Sequence, residues 1–66
     1  KSSALDFFIL NVENYPTSPN SYDSLGEAYE ANGEAQKAIE CYKKSLELNP
    51  DNEHATMRIM ELTERN

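Results

Sequence analysis

Apolar residues at Ala4, Leu5, Phe8, Ile9 and Val12 recur at the i, i+3, i+4 spacing that lines one face of an α-helix. Ser2 or Ser3 is placed to cap that helix, and it should stop near Asn14-Tyr15, because Pro16 disfavours helical geometry in the residue before it. A second pattern, Tyr22, Leu25, Gly26, Ala28 and Tyr29, predicts a helix over about 20–31, with Ser18 or Asn20 as its cap. Asn32-Gly33 ends it, glycine suiting the left-handed residue that closes a helix. Ala35, Ala38, Ile39, Tyr42, Ser45 and Leu46 form the inner face of a third helix, about 34–48, with Lys37, Glu40, Lys43, Lys44 and Glu47 outward. Glu40 and Lys44 have the favourable i, i+4 orientation on that outer face. Asn49-Pro50 stops the third helix. Asp51 or Asn52 caps a last one, about 53–64, whose apolar side is Ala55, Ile59 and Leu62. The expectation is an all-α chain of about four helices.

Two positions strain this pattern. Gly26 inside a helix costs about 1 kcal/mol relative to alanine, so another backbone should approach closely there, with Ala38 as the expected counterpart. Asp23, Glu27 and Glu30 share a face at i, i+4, i+7, and their helix holds no Lys or Arg. Like charges at that spacing are destabilising, so helical propensity does not explain them.

Shifting the chain by 34 residues aligns Ala4 with Ala38, Leu5 with Ile39, Phe8 with Tyr42, Val12 with Leu46 and Pro16 with Pro50. Glu27 and Glu30 fall on Glu61 and Glu64. A fixed period of this length over helix pairs is the signature of a solenoid. With Tyr22, Leu25-Gly26 and Tyr29, followed by Ala38, Tyr42, Ser45 and Pro50, the chain resembles the tetratricopeptide repeat family. Tyr22 stands where that family usually has Trp, and Ser45 where it usually has Ala. The resemblance implies an antiparallel helix-turn-helix α-solenoid fragment. Residues 1–17 are then the second helix of an incomplete preceding repeat, 18–52 a complete repeat, and 53–66 a capping helix. In that last helix Thr56, Met60 and Thr63 replace the aromatic, Gly and Tyr of the pattern.

Charge narrows the partners. Twelve acidic residues against six basic give a net charge of −6, which argues against nucleic acid or an anionic membrane surface. The apolar run 7–10 is far too short to insert in a membrane. Sixty-six residues suffice for one small domain with a thin stability margin. The chain begins at Lys1 inside an apolar pattern, as expected of a piece of a longer protein.

Candidate chemistry is sparse. Cys41 and His54 are each the only residue of their type. Cys41 reads as packing rather than as a nucleophile. His54 has no ligands at fixed spacing nearby, so no metal and no cofactor is expected. Neither a phosphate-binding Gly-rich loop nor a nucleophile elbow is present, and no enzyme is expected within these residues. The segment Pro16-Thr17-Ser18-Pro19 matches a PxxP pattern but reads as an interhelix turn.

The family resemblance implies that the first helix of each repeat lines a concave groove. Its lining here is Asn20, Asp23, Glu27 and Glu30, with His54, Met57, Arg58 and Glu61 from the last helix. Arg58 is the one permanent cation among them, so the expected partner is a basic or polar protein or peptide segment rather than a peptide carboxylate. The first helix is apolar nearly all round: Phe7, Ile9 and Leu10 stand where the third helix has Cys41, Lys43 and Lys44. Such a helix expects cover on more than one side, from an upstream domain of the same chain or from a second copy. The run from Phe8 to Pro16, followed by Tyr22 to Tyr29, also resembles, more loosely, the C-terminal tails of bacterial serine hydrolases. That resemblance implies an accessory or assembly segment, periplasmic if the hydrolase is secreted; a stand-alone chain would be cytoplasmic.

Overall fold

A computed structural model describes residues 3–65, and it consists of four α-helices: α1 (Ser3–Asn14), α2 (Pro19–Ala31), α3 (Ala35–Leu48) and α4 (Glu53–Arg65). The capping role read for Ser2 lies outside the described residues, and that of Ser3 outside the described side chains. Each connection is three or four residues long, so successive helices are neighbours, and α2 packs most extensively on α3.

The breaks follow the local chemistry. At the end of α2, Glu34 N–H reaches Tyr29 O (2.9 Å) and Gly33 N–H reaches Glu30 O (3.0 Å). These are the two bonds of a Schellman motif, and they need a left-handed residue at their centre. Gly33 supplies it with φ +78°. The start of α2 differs from expectation. Ser18 holds the cap position in extended geometry without a side-chain cap bond, and Pro19 occupies the first turn. Proline is favoured there because its missing N–H costs nothing. Pro19 is therefore helical, which removes the PxxP segment from extended polyproline geometry. Asn52 is the cap of α4: its Oδ1 accepts from Ala55 N–H at 3.3 Å.

The core is built from the inner faces of α3 and α4. Ala38, Ile39, Tyr42, Ala55 and Leu62 are buried together, with Tyr29, Ala35, Leu46 and Ile59 packed against them. On α1 the stripe Leu5, Phe8, Ile9 and Val12 is half-buried, while Phe7 and Leu10 point to solvent, 63% and 53% exposed. Lys44 pairs with Glu47 at 3.5 Å, not with Glu40; both ends are exposed, where such pairs contribute about 0–1 kcal/mol.

The approach at Gly26 is made by Tyr42, one turn beyond the expected Ala38. A methyl group at Gly26 would lie 2.9 Å from Tyr42 Cε1 and Cζ and 3.1 Å from Cδ1. The ring is fully buried and its hydroxyl is tied down, so it has little room to yield. Gly26→Ala gains about 1 kcal/mol of helix propensity against roughly 1–3 kcal/mol of overpacking. We expect a net loss of about 1 kcal/mol, seen as a lower urea midpoint at unchanged slope. A midpoint at or above that of the parent chain would mean that the ring moves aside freely.

Candidate groove between the second and fourth helices

Two hydrogen-bonded chains run from the core to the face shared by α2 and α4. The first begins at Ser45, a fully buried hydroxyl on α3. Ser45 Oγ donates to Pro19 O (2.9 Å) and accepts from Asn52 Nδ2 (2.8 Å). Asn52 Nδ2 also donates to Asp23 Oδ2 at 3.0 Å. His54 continues the line, with Nδ1 2.9 Å from Asp23 Oδ1 and Nε2 3.4 Å from Glu27 Oε2. The serine that departs from the usual repeat alanine is thus a joint between α2, α3 and the start of α4.

The second chain begins at Tyr42, whose hydroxyl donates to Glu30 Oε1 at 2.8 Å. Arg58 Nε donates to the same oxygen at 3.2 Å, and its terminal nitrogens engage the other Glu30 oxygen and Glu61. Burial, followed by the Glu30 carboxylate, pushes the Tyr42 phenol well above its ordinary range, so it remains a donor. The hydrogen bond to Glu30, ahead of attraction to Glu30 and Glu61, holds the Arg58 guanidinium above its already high value.

This explains the acidic face of α2. Asp23 and Glu30 are each only 16% exposed in their side chains and meet His54 and Arg58 across the seam. Glu30 is balanced by the Arg58 cation of α4, and Asp23 is hydrogen-bonded by Asn52 and His54, so neither finds its partner on its own helix. Glu27 and Glu61 remain open to solvent, at 60% and 51%, and Asn20 and Met57 are exposed. The fold therefore brings Asp23, Glu27, Glu30, His54, Arg58 and Glu61 together. Asn52, Ser45 and Tyr42 support them, and only Ser45's departure from the repeat pattern signalled such a role in sequence. His54 has no metal-ligating groups nearby in sequence, but the fold sets Asp23 and Glu27 of α2 beside it: one oxygen or nitrogen of each of the three lies within 4.8 Å of the others.

Cys41 is half-buried, and burial, with Glu40 second, pushes its thiol up to about 11. It is a thiol at neutral pH and a poor nucleophile. No helix among the described residues is long and apolar enough to cross a membrane.

Comparison with known proteins agrees with this architecture. Residues 24–52 match the family model of the tetratricopeptide repeat. RANBP2-like and GRIP domain-containing protein 1 of Homo sapiens is 42% identical over 48 residues, which is 73% of this chain and 3% of that protein. E3 SUMO-protein ligase RanBP2 of Homo sapiens is 40% identical over 48 residues, 73% of this chain and 2% of its own length. The same identity and coverage hold for RanBP2 of Pan troglodytes. The chain thus spans a few per cent of these curated relatives. None of the three is described as a serine hydrolase, so the looser resemblance to hydrolase tails gains no support from them.

Proposed function

Because residues 24–52 are a tetratricopeptide repeat, a unit of protein–protein interaction, we propose that this chain binds a basic or polar segment of a partner along the α2/α4 groove. The observation that carries this reading is the state of Arg58. Its guanidinium is engaged by Glu30 and Glu61, so the groove has no uncommitted permanent cation to offer a peptide carboxylate. Glu27, Glu61 and the exposed Asn20 and Met57 meet an incoming segment, while Asp23, Glu30, His54 and Arg58 form the floor. Exposed ion pairs contribute about 0.2–1 kcal/mol each. Charge therefore selects and steers the partner more than it holds it.

Fluorescence anisotropy with Lys/Arg-rich and Asp/Glu-rich peptides of equal length tests this at low and high salt. We expect a preference for the basic peptide of roughly tenfold at low salt, shrinking as the Debye length falls. Glu27→Lys should remove most of it. Equal, weak binding of both peptides at every salt concentration would end the groove reading.

A second reading rests on α1. Phe7 and Leu10 are more than half exposed while Ile9 is half-buried, so the outer side of this helix is available to an upstream domain of the same chain or to a second copy. In that reading the segment is an accessory or assembly element of a larger protein, such as a bacterial hydrolase. We also read 1–17 as the second helix of a preceding repeat and 53–66 as a cap. Met60 supports the cap: it stands 34 residues after Gly26 and is 56% exposed, whereas Gly26 is buried beneath the Tyr42 ring.

A further inference from the structure

Asp23 and Glu27 are four residues apart on α2, so their carboxylates project from one face. The first turn of α4 inserts His54 against both, Nδ1 at 2.9 Å from Asp23 Oδ1 and Nε2 at 3.4 Å from Glu27 Oε2. One ligand atom from each of the three lies within 4.8 Å of the other two. Ligands to a tetrahedral ion sit at 2.0–2.2 Å from it, which places them roughly 3.4 Å apart. The cluster is therefore slightly open, and two of its members have room to close it: His54 and Glu27 are 47% and 60% exposed in their side chains. The third is anchored. Asp23 is 16% exposed and its Oδ2 accepts from Asn52 Nδ2. Asn52 is itself bonded to the buried Ser45. An outer partner that fixes a carboxylate in this way is the usual support of a metal ligand.

We propose that Asp23, Glu27 and His54 form a binding site for a divalent transition-metal ion of the zinc class, with one imidazole nitrogen, two carboxylate oxygens and water completing the shell. The imidazole selects against magnesium and calcium, which take oxygen ligands and six or more of them. Two carboxylates neutralise the dication and in return lose their mutual repulsion along α2. The bound ion ties the two groove-lining helices together, a link that otherwise rests on hydrogen bonds and ion pairs at the solvent edge. The site stands apart from the peptide-binding reading, since an ion is bound and measured with no peptide present.

Isothermal titration of the metal-free chain with zinc chloride, repeated with cobalt chloride for its visible absorption, tests the site. We expect one saturable equivalent and a raised thermal midpoint. Amide shifts should centre on Asp23, Glu27 and His54. His54→Gln and Glu27→Gln should each weaken zinc at least as much as loss of an outer-shell partner does, roughly 10–100-fold. Glu27 is exposed, so the E27Q chain remains folded and keeps the comparison valid if H54Q does not. Cys41→Ser should bind zinc as the parent does. Absence of saturable binding, unchanged affinity in E27Q, loss of binding in C41S, or equal shifts with magnesium or calcium would each overturn the proposal.

Discussion

Tyr42→Ala is expected to leave this chain unfolded at room temperature. A domain of 66 residues has a total stability of about 3–10 kcal/mol at the typical 0.05–0.15 kcal/mol per residue. Tyr42 is fully buried, fills the space above Gly26, and donates to Glu30. Truncating a buried aromatic to alanine costs about 3–5 kcal/mol, and removing the hydroxyl takes one partner from a largely buried carboxylate, a further 1–3 kcal/mol or so. Together these consume most or all of the margin. Circular dichroism at 222 nm should show the helical signal collapsed, with no cooperative urea transition. Tyr42→Phe separates the two terms: it keeps the ring over Gly26 and should remain folded with a lowered midpoint. A Tyr42→Ala chain that melts cooperatively near the parent midpoint would show that the ring is not the keystone of the α2–α3 pair.

The second large effect is expected at Asn52, through a contrast between two substitutions. Asn52→Ala removes the cap bond to Ala55 N–H and the donors to Asp23 and Ser45. Cap loss costs about 1 kcal/mol and each unmade bond about 1 kcal/mol more, for a total of about 2–3 kcal/mol. At about 4–8 °C per kcal/mol for a domain of this size, the thermal midpoint should fall by roughly 10–20 °C. Asn52→Asp is the sharper test. Aspartate caps helices about as well as asparagine, so a local view of α4 predicts a neutral change. The tertiary view predicts otherwise: the variant keeps the cap acceptor, loses the donor, and faces Asp23 with a second carboxylate where the amide now sits 3.0 Å away. It should be at least as unstable as the alanine variant, and part of its deficit should disappear in high salt, as Coulomb repulsion is screened. An Asn52→Asp midpoint equal to that of the parent would remove the seam from the account.

Both predictions act on the contacts that join α3 to the face shared by α2 and α4. Tyr42 and Ser45 lie on one face of α3, a turn apart, and each sends one polar bond outward through the core. One reaches Glu30 and Arg58; the other reaches Asn52, Asp23 and His54. The face shared by α2 and α4 is thus organised by residues of α3 that lie beneath it, and damage to either line should disturb that face and stability together. Glu27 is the exception. It is mostly exposed and among the described residues pairs with His54 alone, so its replacement can separate the proposed binding from folding.

The helices, their order and, apart from the start of α2, their ends to within a residue or two were legible in the chain because they depend on neighbours three or four residues apart. The apolar spacing of Ala38, Ile39, Tyr42 and Leu46, the Asn32-Gly33 stop and the 34-residue period needed no knowledge of the fold, and the all-α solenoid-like architecture followed from them. The family resemblance also named Asp23, Glu27, Glu30, His54, Arg58 and Glu61 as one set, and these are charged or titratable residues that the fold brings together. What no local pattern carried was their pairing. Asp23 and His54 are 31 residues apart and Glu30 and Arg58 are 28 apart, so periodicity registers each side only as an unbalanced face. The same separation hid the ring above Gly26: the sequence required a close approach, but whether it came from Ala38 or from Tyr42 depends on how α3 is rotated and shifted against α2. Local spacing determines which face of a helix is buried. Only packing determines which residue of the neighbour meets it, and here that decides which carboxylates are covered at the seam and which face solvent.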